Sequence, residues 1–221
     1  MRVIREKLRP VMNQDEGLTL IEVVVAIAII SIVATASAAL VITGIATATQ
    51  QERRQIAVTI ASSAMETVNS RPYQEPAAGG ISPLYKGRNL TNVKNAFGLY
   101  PTVPGVSNTY PIGDPAATST SSVGLVPLST VVPESGTNFT VATLIGSCYQ
   151  STVLSSINGV TNECGKVGSA TPTGPVTNYS DLIRVIVIVT WTAGKGCASG
   201  CSYSTTSLID PNNDLEWVTH G

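Results

Sequence analysis

The sequence predicts an α+β protein in which one long amino-terminal helix packs on an antiparallel β-sheet. Three observations predict it. An apolar run extends from Val23 to about Thr49 with a single carboxylate, Glu22, at its head. A helical stripe follows at Val58, Ala61, Met65 and Val68, spaced three, four and three residues apart. Late in the chain, LIRVIVIVTWT at residues 182–192 alternates in the two-residue period of a strand.

The first element is the apolar run. Around 25 residues at about 1.5 Å each reach about 37 Å, enough to cross a bilayer core of about 30 Å with some tilt. A charged side chain at the centre of a bilayer costs roughly 2.5–3.5 kcal/mol on insertion scales, so a chain that keeps Glu22 there has a use for it. Arg2, Arg5, Lys7 and Arg9 form a basic segment upstream, and Gly17 closes it just before the apolar block. Basic flanks stay on the cytoplasmic side, which puts everything beyond residue 50 outside. A secretory signal peptide, with an apolar core of roughly 7–15 residues, is shorter than this run. A plain single-span anchor fits the length equally well.

The stretch Gly17-Leu18-Thr19-Leu20-Ile21-Glu22 resembles the start of type IV prepilins, whose leader ends in Gly and is followed by a pattern close to Phe-Thr-Leu-Ile-Glu and a long hydrophobic helix. Leu18 stands where Phe is usual, and Asp15-Glu16 precede Gly17 in place of a basic or neutral pair. The resemblance covers the first 50 to 70 residues. It implies a pilin-like fold, cleavage after Gly17 by a prepilin peptidase, and methylation of the new amino group on Leu18. It also implies that Glu22 pairs with the amino-terminal ammonium of a neighbouring subunit during assembly. A carboxylate in low dielectric is costly unless paired, so the implied pairing is physically sound.

The remaining organisation follows in order. Residues 1–17 read as the leader, 18–49 as the membrane and assembly helix, 50–71 as its amphipathic continuation, and 72–221 as an exported domain. Ile56 and Ile60 widen the stripe of the continuation, Gly44 is a possible soft spot, and Arg71-Pro72 ends the helix. Pro, Gly, Ser, Thr and Asn dominate from 72 to about 133, which predicts long loops with short strands, anchored by Leu84, Tyr85, Phe97, Leu99, Tyr100 and Val103. Phe139–Ile145 reads as a strand bounded by Gly136 and Gly146. In the best strand, Leu182–Thr192, the face of Ile183, Val185, Val187, Val189 and Trp191 should meet the helix. Arg184, Ile186, Ile188, Thr190 and Thr192 make the other, mixed face. Tyr203–Ile209 should pair with it as a hairpin, and the late strands resemble, less specifically, the carboxyl-terminal halves of minor pilins.

Four cysteines, Cys148, Cys164, Cys197 and Cys201, all fall on the exported side, where an even count reads as disulfides. Three connectivities are possible; short loops favour Cys148–Cys164 with Cys197–Cys201. The spacings do not match paired zinc knuckles, and no metal site is assigned. Asp181, Asp210, Asp214 and Glu216 are the carboxylates that could gather round calcium.

Composition excludes much else. With 13 basic and 14 acidic residues there is no basic face for nucleic acid. His220, next to the last residue, is the sole histidine and is expected in a frayed tail, so the usual Ser-His-acid and Cys-His groups, catalytic residues and cofactors are not expected. Three Asn-x-Ser/Thr triplets, beginning at Asn89, Asn138 and Asn178, read as chance.

The expectation is therefore a non-enzymatic filament subunit, a minor pilin of a type IV pilus serving adhesion, motility or DNA uptake. Its partners would be the prepilin peptidase, other pilin subunits and the assembly machinery of the cytoplasmic membrane. It would sit in that membrane as a single span before assembly and at the cell surface after it. A type II secretion pseudopilin is the alternative within the class. A membrane-anchored binding protein that never polymerises is the alternative outside it.

Overall fold

The computed structural model describes residues 19–71, 82–118, 124–152, 163–193 and 197–211. The chain forms two compact units, Met1–Thr49 and Gln50–Gly221, and helix α1 (Leu20–Asn69) contributes residues to both.

In the first unit α1 is exposed all round: Leu20 is 82% exposed, Ile30 66%, Leu40 74% and Ile45 64%. An 18-residue window here reaches a mean hydropathy of 2.6, so the helix is long and apolar enough to cross a membrane. Its serine and threonine hydroxyls are internally satisfied. The hydroxyls of Ser31, Thr35, Ser37, Thr43, Thr47 and Thr49 each donate to a carbonyl three or four residues back. Past its first turn the helix also closes its backbone bonds internally, as a membrane-crossing segment must. The helix runs unbroken through Gly44.

The second unit contains the rest of α1, a short helix α2 (Leu90–Leu99) and five strands, β1 (Tyr110–Pro111), β2 (Ser129–Glu134), β3 (Thr137–Ser151), β4 (Tyr179–Ala193) and β5 (Cys197–Ile209). The sheet is antiparallel throughout, in the order β1-β3-β4-β5. β2 shares the outer edge of β3 with β1. A long helix packed on this sheet makes the predicted α+β arrangement. Ser135 (φ 47°) and Gly136 (φ 71°) form the two-residue turn between β2 and β3, the left-handed geometry a tight hairpin requires.

One face of β4 packs on α1. Ile183, Val185, Val187, Val189 and Trp191 form a single core with Ala57, Ala61, Val68 and Phe139. Val58, expected in this stripe, is instead 40% exposed. At about 100° per residue the stripe centres on Ala57, Ala61, Ala64 and Val68. Val58 and Met65 both fall at its margin, and only the longer methionine reaches the core.

The opposite face of β4 is also buried. Ile186 and Ile188 pack with Ala142 and Leu144 of β3 and with Val93 and Phe97 of α2. This corrects the expectation of loops and short strands alone between 72 and 133. α2 forms because Asn89 caps it, its side-chain oxygen accepting from the backbone N–H groups of Thr91 and Asn92. Val93 and Phe97 then stand one turn apart against the sheet. Of the other anchors, Leu84 is buried but Leu99 is 74% exposed.

The strands also run longer than predicted. β3 passes through Gly146, which was expected to end it, because β1 crosses there. A side chain at 146 would overlap the Tyr110 carbonyl oxygen and the Thr109 methyl group. β5 begins at Cys197 rather than Tyr203: between the pairs Ala193↔Cys197 and Trp191↔Cys201 it carries two extra residues as a bulge.

Candidate functional site

Glu22 is the sole charged residue between Leu20 and Thr49. It lies in the first turn of α1, where its own N–H donates to the Thr19 carbonyl at 3.0 Å and that of Val23 does so at 3.3 Å. The amino end of a helix carries a partial positive charge, so a carboxylate is tolerated there better than in mid-helix. The side chain is exposed among Ile21, Val23, Val24 and Val25, themselves 43–67% exposed, and nothing among the described residues pairs with it. The geometry is a single anionic point on an otherwise apolar rod, free to meet a cation brought by another chain. Gly17 and Leu18, the expected cleavage and methylation positions, lie outside the described residues.

In the second unit the structure joins Cys148 to Cys164, Cα–Cα 5.3 Å, and Cys197 to Cys201, Cα–Cα 5.1 Å. The first bridge is buried with Leu182 and ties the segment after β3 to the sheet. The second closes the β5 bulge, where Gly200 takes φ 96°. Disulfide mapping of the unreduced protein is expected to return these two pairs and no others. Replacing Cys148 and Cys164 together with alanine should cost about 3 kcal/mol of stability, as expected for a loop of about 15 residues. A scrambled map, or a double variant that melts with the parent, would remove this role.

Asp181 lies on β4 and Asp210 just after β5, whereas Asp214, Glu216 and His220 lie outside the described residues. No group of three or more His, Cys, Asp or Glu side chains among the described residues is placed to hold a metal ion.

Two arginines among the described residues are buried: Arg184, expected only as part of a mixed strand face, and Arg88, which carries no expectation from sequence. Arg184, 7% exposed, donates from Nη1 to the Gly105 carbonyl and the Thr109 hydroxyl, each at 3.0 Å, and from Nη2 to the Cys164 carbonyl. It pins the loop after α2 and the first disulfide to the centre of β4. Arg88, 3% exposed, donates from Nη2 to the Thr143 carbonyl, while its Nε and Nη1 find no acceptor among the described residues. A basic residue inside a strand of apolar neighbours was the available signal for Arg184.

Residues 12–38 match a family model described as the prokaryotic N-terminal methylation motif, the type IV prepilin-type signature. No curated protein and no solved structure matches the chain. The motif points to a structural protein of the type IV pilin or pseudopilin kind rather than to an enzyme. It implies processing by a prepilin peptidase and assembly with other pilins, and with the apolar helix it fits membrane anchoring before assembly.

Proposed function

We propose that this chain is a minor type IV pilin, cut between Gly17 and Leu18 and methylated on the new Leu18 amino group. It then enters a surface filament used for adhesion, motility or DNA uptake. In this reading α1 crosses the cytoplasmic membrane once, with the domain from residue 50 outside. It leaves the lipid when the filament takes it up. Glu22 guides that step by pairing with the amino-terminal ammonium of the neighbouring subunit. The observation that carries the reading is a coincidence. The methylation motif at residues 12–38 overlaps a helix whose only charge in its apolar stretch is a first-turn carboxylate. An exported domain of some 150 residues with two disulfides and long loops favours a minor over a major subunit.

The test is the amino terminus of the mature protein. Intact-mass and amino-terminal sequencing of material sheared from cells should give a chain beginning with N-methylated Leu18. A chain that still begins at Met1, or one recovered only from membranes while normal filaments are present, would overturn the assignment. Recovery from a short periplasmic fibre of a secretion apparatus would support the pseudopilin reading instead.

A further inference from the structure

A cavity of about 580 Å³ lies beside the far end of the β3–β4 pair, lined by Tyr149, Pro172, Gly174, Pro175, Tyr179 and Asp181 among others. Tyr149 and Asp181 face each other across the two strands. The Asp181 carboxylate is half-buried, and its Oδ1 accepts no hydrogen bond among the described residues. Burial raises its pKa, and the Tyr149 hydroxyl is pushed up by burial first and then by Asp181 and Tyr110. The cavity therefore holds a carboxylate with no paired cation among the described residues, beside two tyrosine rings and a set of prolines.

This chemistry selects its ligand. A neutral sugar would leave the charge unopposed, and among the described residues there is no cluster of carboxylates of the kind a divalent ion needs. An ammonium group meets both requirements, since its charge opposes the carboxylate and its face contacts suit aromatic rings. Next to the cavity lining an ammonium already lies over a ring: Lys166 Nζ is 5.4 Å from the centroid of Tyr110, which meets Tyr149 edge-on at 6.2 Å. We propose that the cavity binds an alkylammonium group, brought by a free amine or by a lysine side chain of another protein, with Asp181 as counter-ion and Tyr149 and Tyr179 as its walls.

The experiment is a saturation-transfer NMR titration of the full-length protein in detergent with n-butylammonium and with the peptide acetyl-Gly-Lys-Gly-amide. Uncharged n-butanol and calcium chloride serve as comparisons. Saturable binding of the ammonium probes is expected, weakened about tenfold or more by Asp181→Asn, the loss expected for removing an opposed charge. Tyr179, 40% exposed, can be replaced without opening the core, and Tyr179→Ala should weaken binding about threefold. Tighter binding of the peptide would assign the site to protein lysines, and equal binding to free amines; either supports the proposal. It is overturned if neither ammonium probe saturates, if n-butanol binds as well, or if calcium alone binds. It also falls if a folded Asp181→Asn binds like the parent. Should Asp181→Asn fail to fold, unchanged affinity in Tyr179→Ala overturns it.

Discussion

Glu22→Val is expected to insert in the membrane as well as the parent and to be missing from sheared filaments, its incorporation reduced about a hundredfold or more. The direction of the insertion effect is fixed by solvation: replacing a carboxylate with an aliphatic side chain relieves the bilayer penalty. The helix end offsets part of that penalty, since a first-turn carboxylate gains about 0.3–1 kcal/mol from the macrodipole. This is less than the roughly 2.5–3.5 kcal/mol that insertion scales assign to a charge in lipid, so the dipole alone does not account for Glu22. A cation from another chain, as proposed above, would. Leaving one member of a buried ion pair without its partner costs about 3–5 kcal/mol, which sets the size of the assembly defect. In the valine variant the unpaired group would be the neighbour's ammonium. Glu22→Gln, which keeps the shape and loses the charge, should fail in the same way. Immunoblots of membrane and sheared fractions read both quantities, and parental incorporation of either variant would end the pairing role.

The parts of this molecule that were legible in sequence are those set by a local period or a local contradiction. The apolar run and its one acid are such a contradiction, and they point to the functional end of α1 without any structure. The strict alternation of β4 names the residues that pack on α1. What was not legible depends on contacts between distant segments. The second face of β4, with Ile186 and Ile188 beside Arg184, reads only as mixed, because its cover, α2, sits in a stretch rich in Pro and Gly. Asn89 was read as a chance glycosylation triplet, yet the same side chain caps α2 and so makes that cover. Strand ends were misplaced where a glycine admits a crossing strand, as at Gly146, rather than ending one. Asp181 was visible as a carboxylate, but its orphaned oxygen and cavity exist only once Tyr149 is paired opposite it and the segment Pro172–Val176 closes the rim.

The two buried arginines are expected to behave oppositely when each is replaced by methionine, which keeps the aliphatic stem and removes the guanidinium. Burial lowers the pKa of Arg184, with Glu163 acting in the opposite sense, but its protons reach three acceptors from two separate loops. Arg184→Met strips the Gly105 and Cys164 carbonyls and the Thr109 hydroxyl of that donor. Hydrogen bonds to a charged group contribute about 1.5–3 kcal/mol each before desolvation is counted. A net loss of about 3 kcal/mol is therefore expected, lowering Tm by about 6–12 °C in a unit of this size. Arg88 makes one such bond and has two nitrogens without an acceptor among the described residues, and burial pushes its guanidinium down to about 10. A cation whose folded pKa lies below its unfolded value opposes folding at every pH below the folded pKa, and the penalty lifts only as pH rises beyond it. That penalty is in force at neutral pH. Replacing such a group with a well-packed apolar one is neutral or stabilising, so Arg88→Met should melt within about 3 °C of the parent or above it. Thermal unfolding of the two variants in the same detergent decides the matter. Equal losses at both positions would show that each guanidinium acts through packing of its stem region and not through the acceptors it reaches.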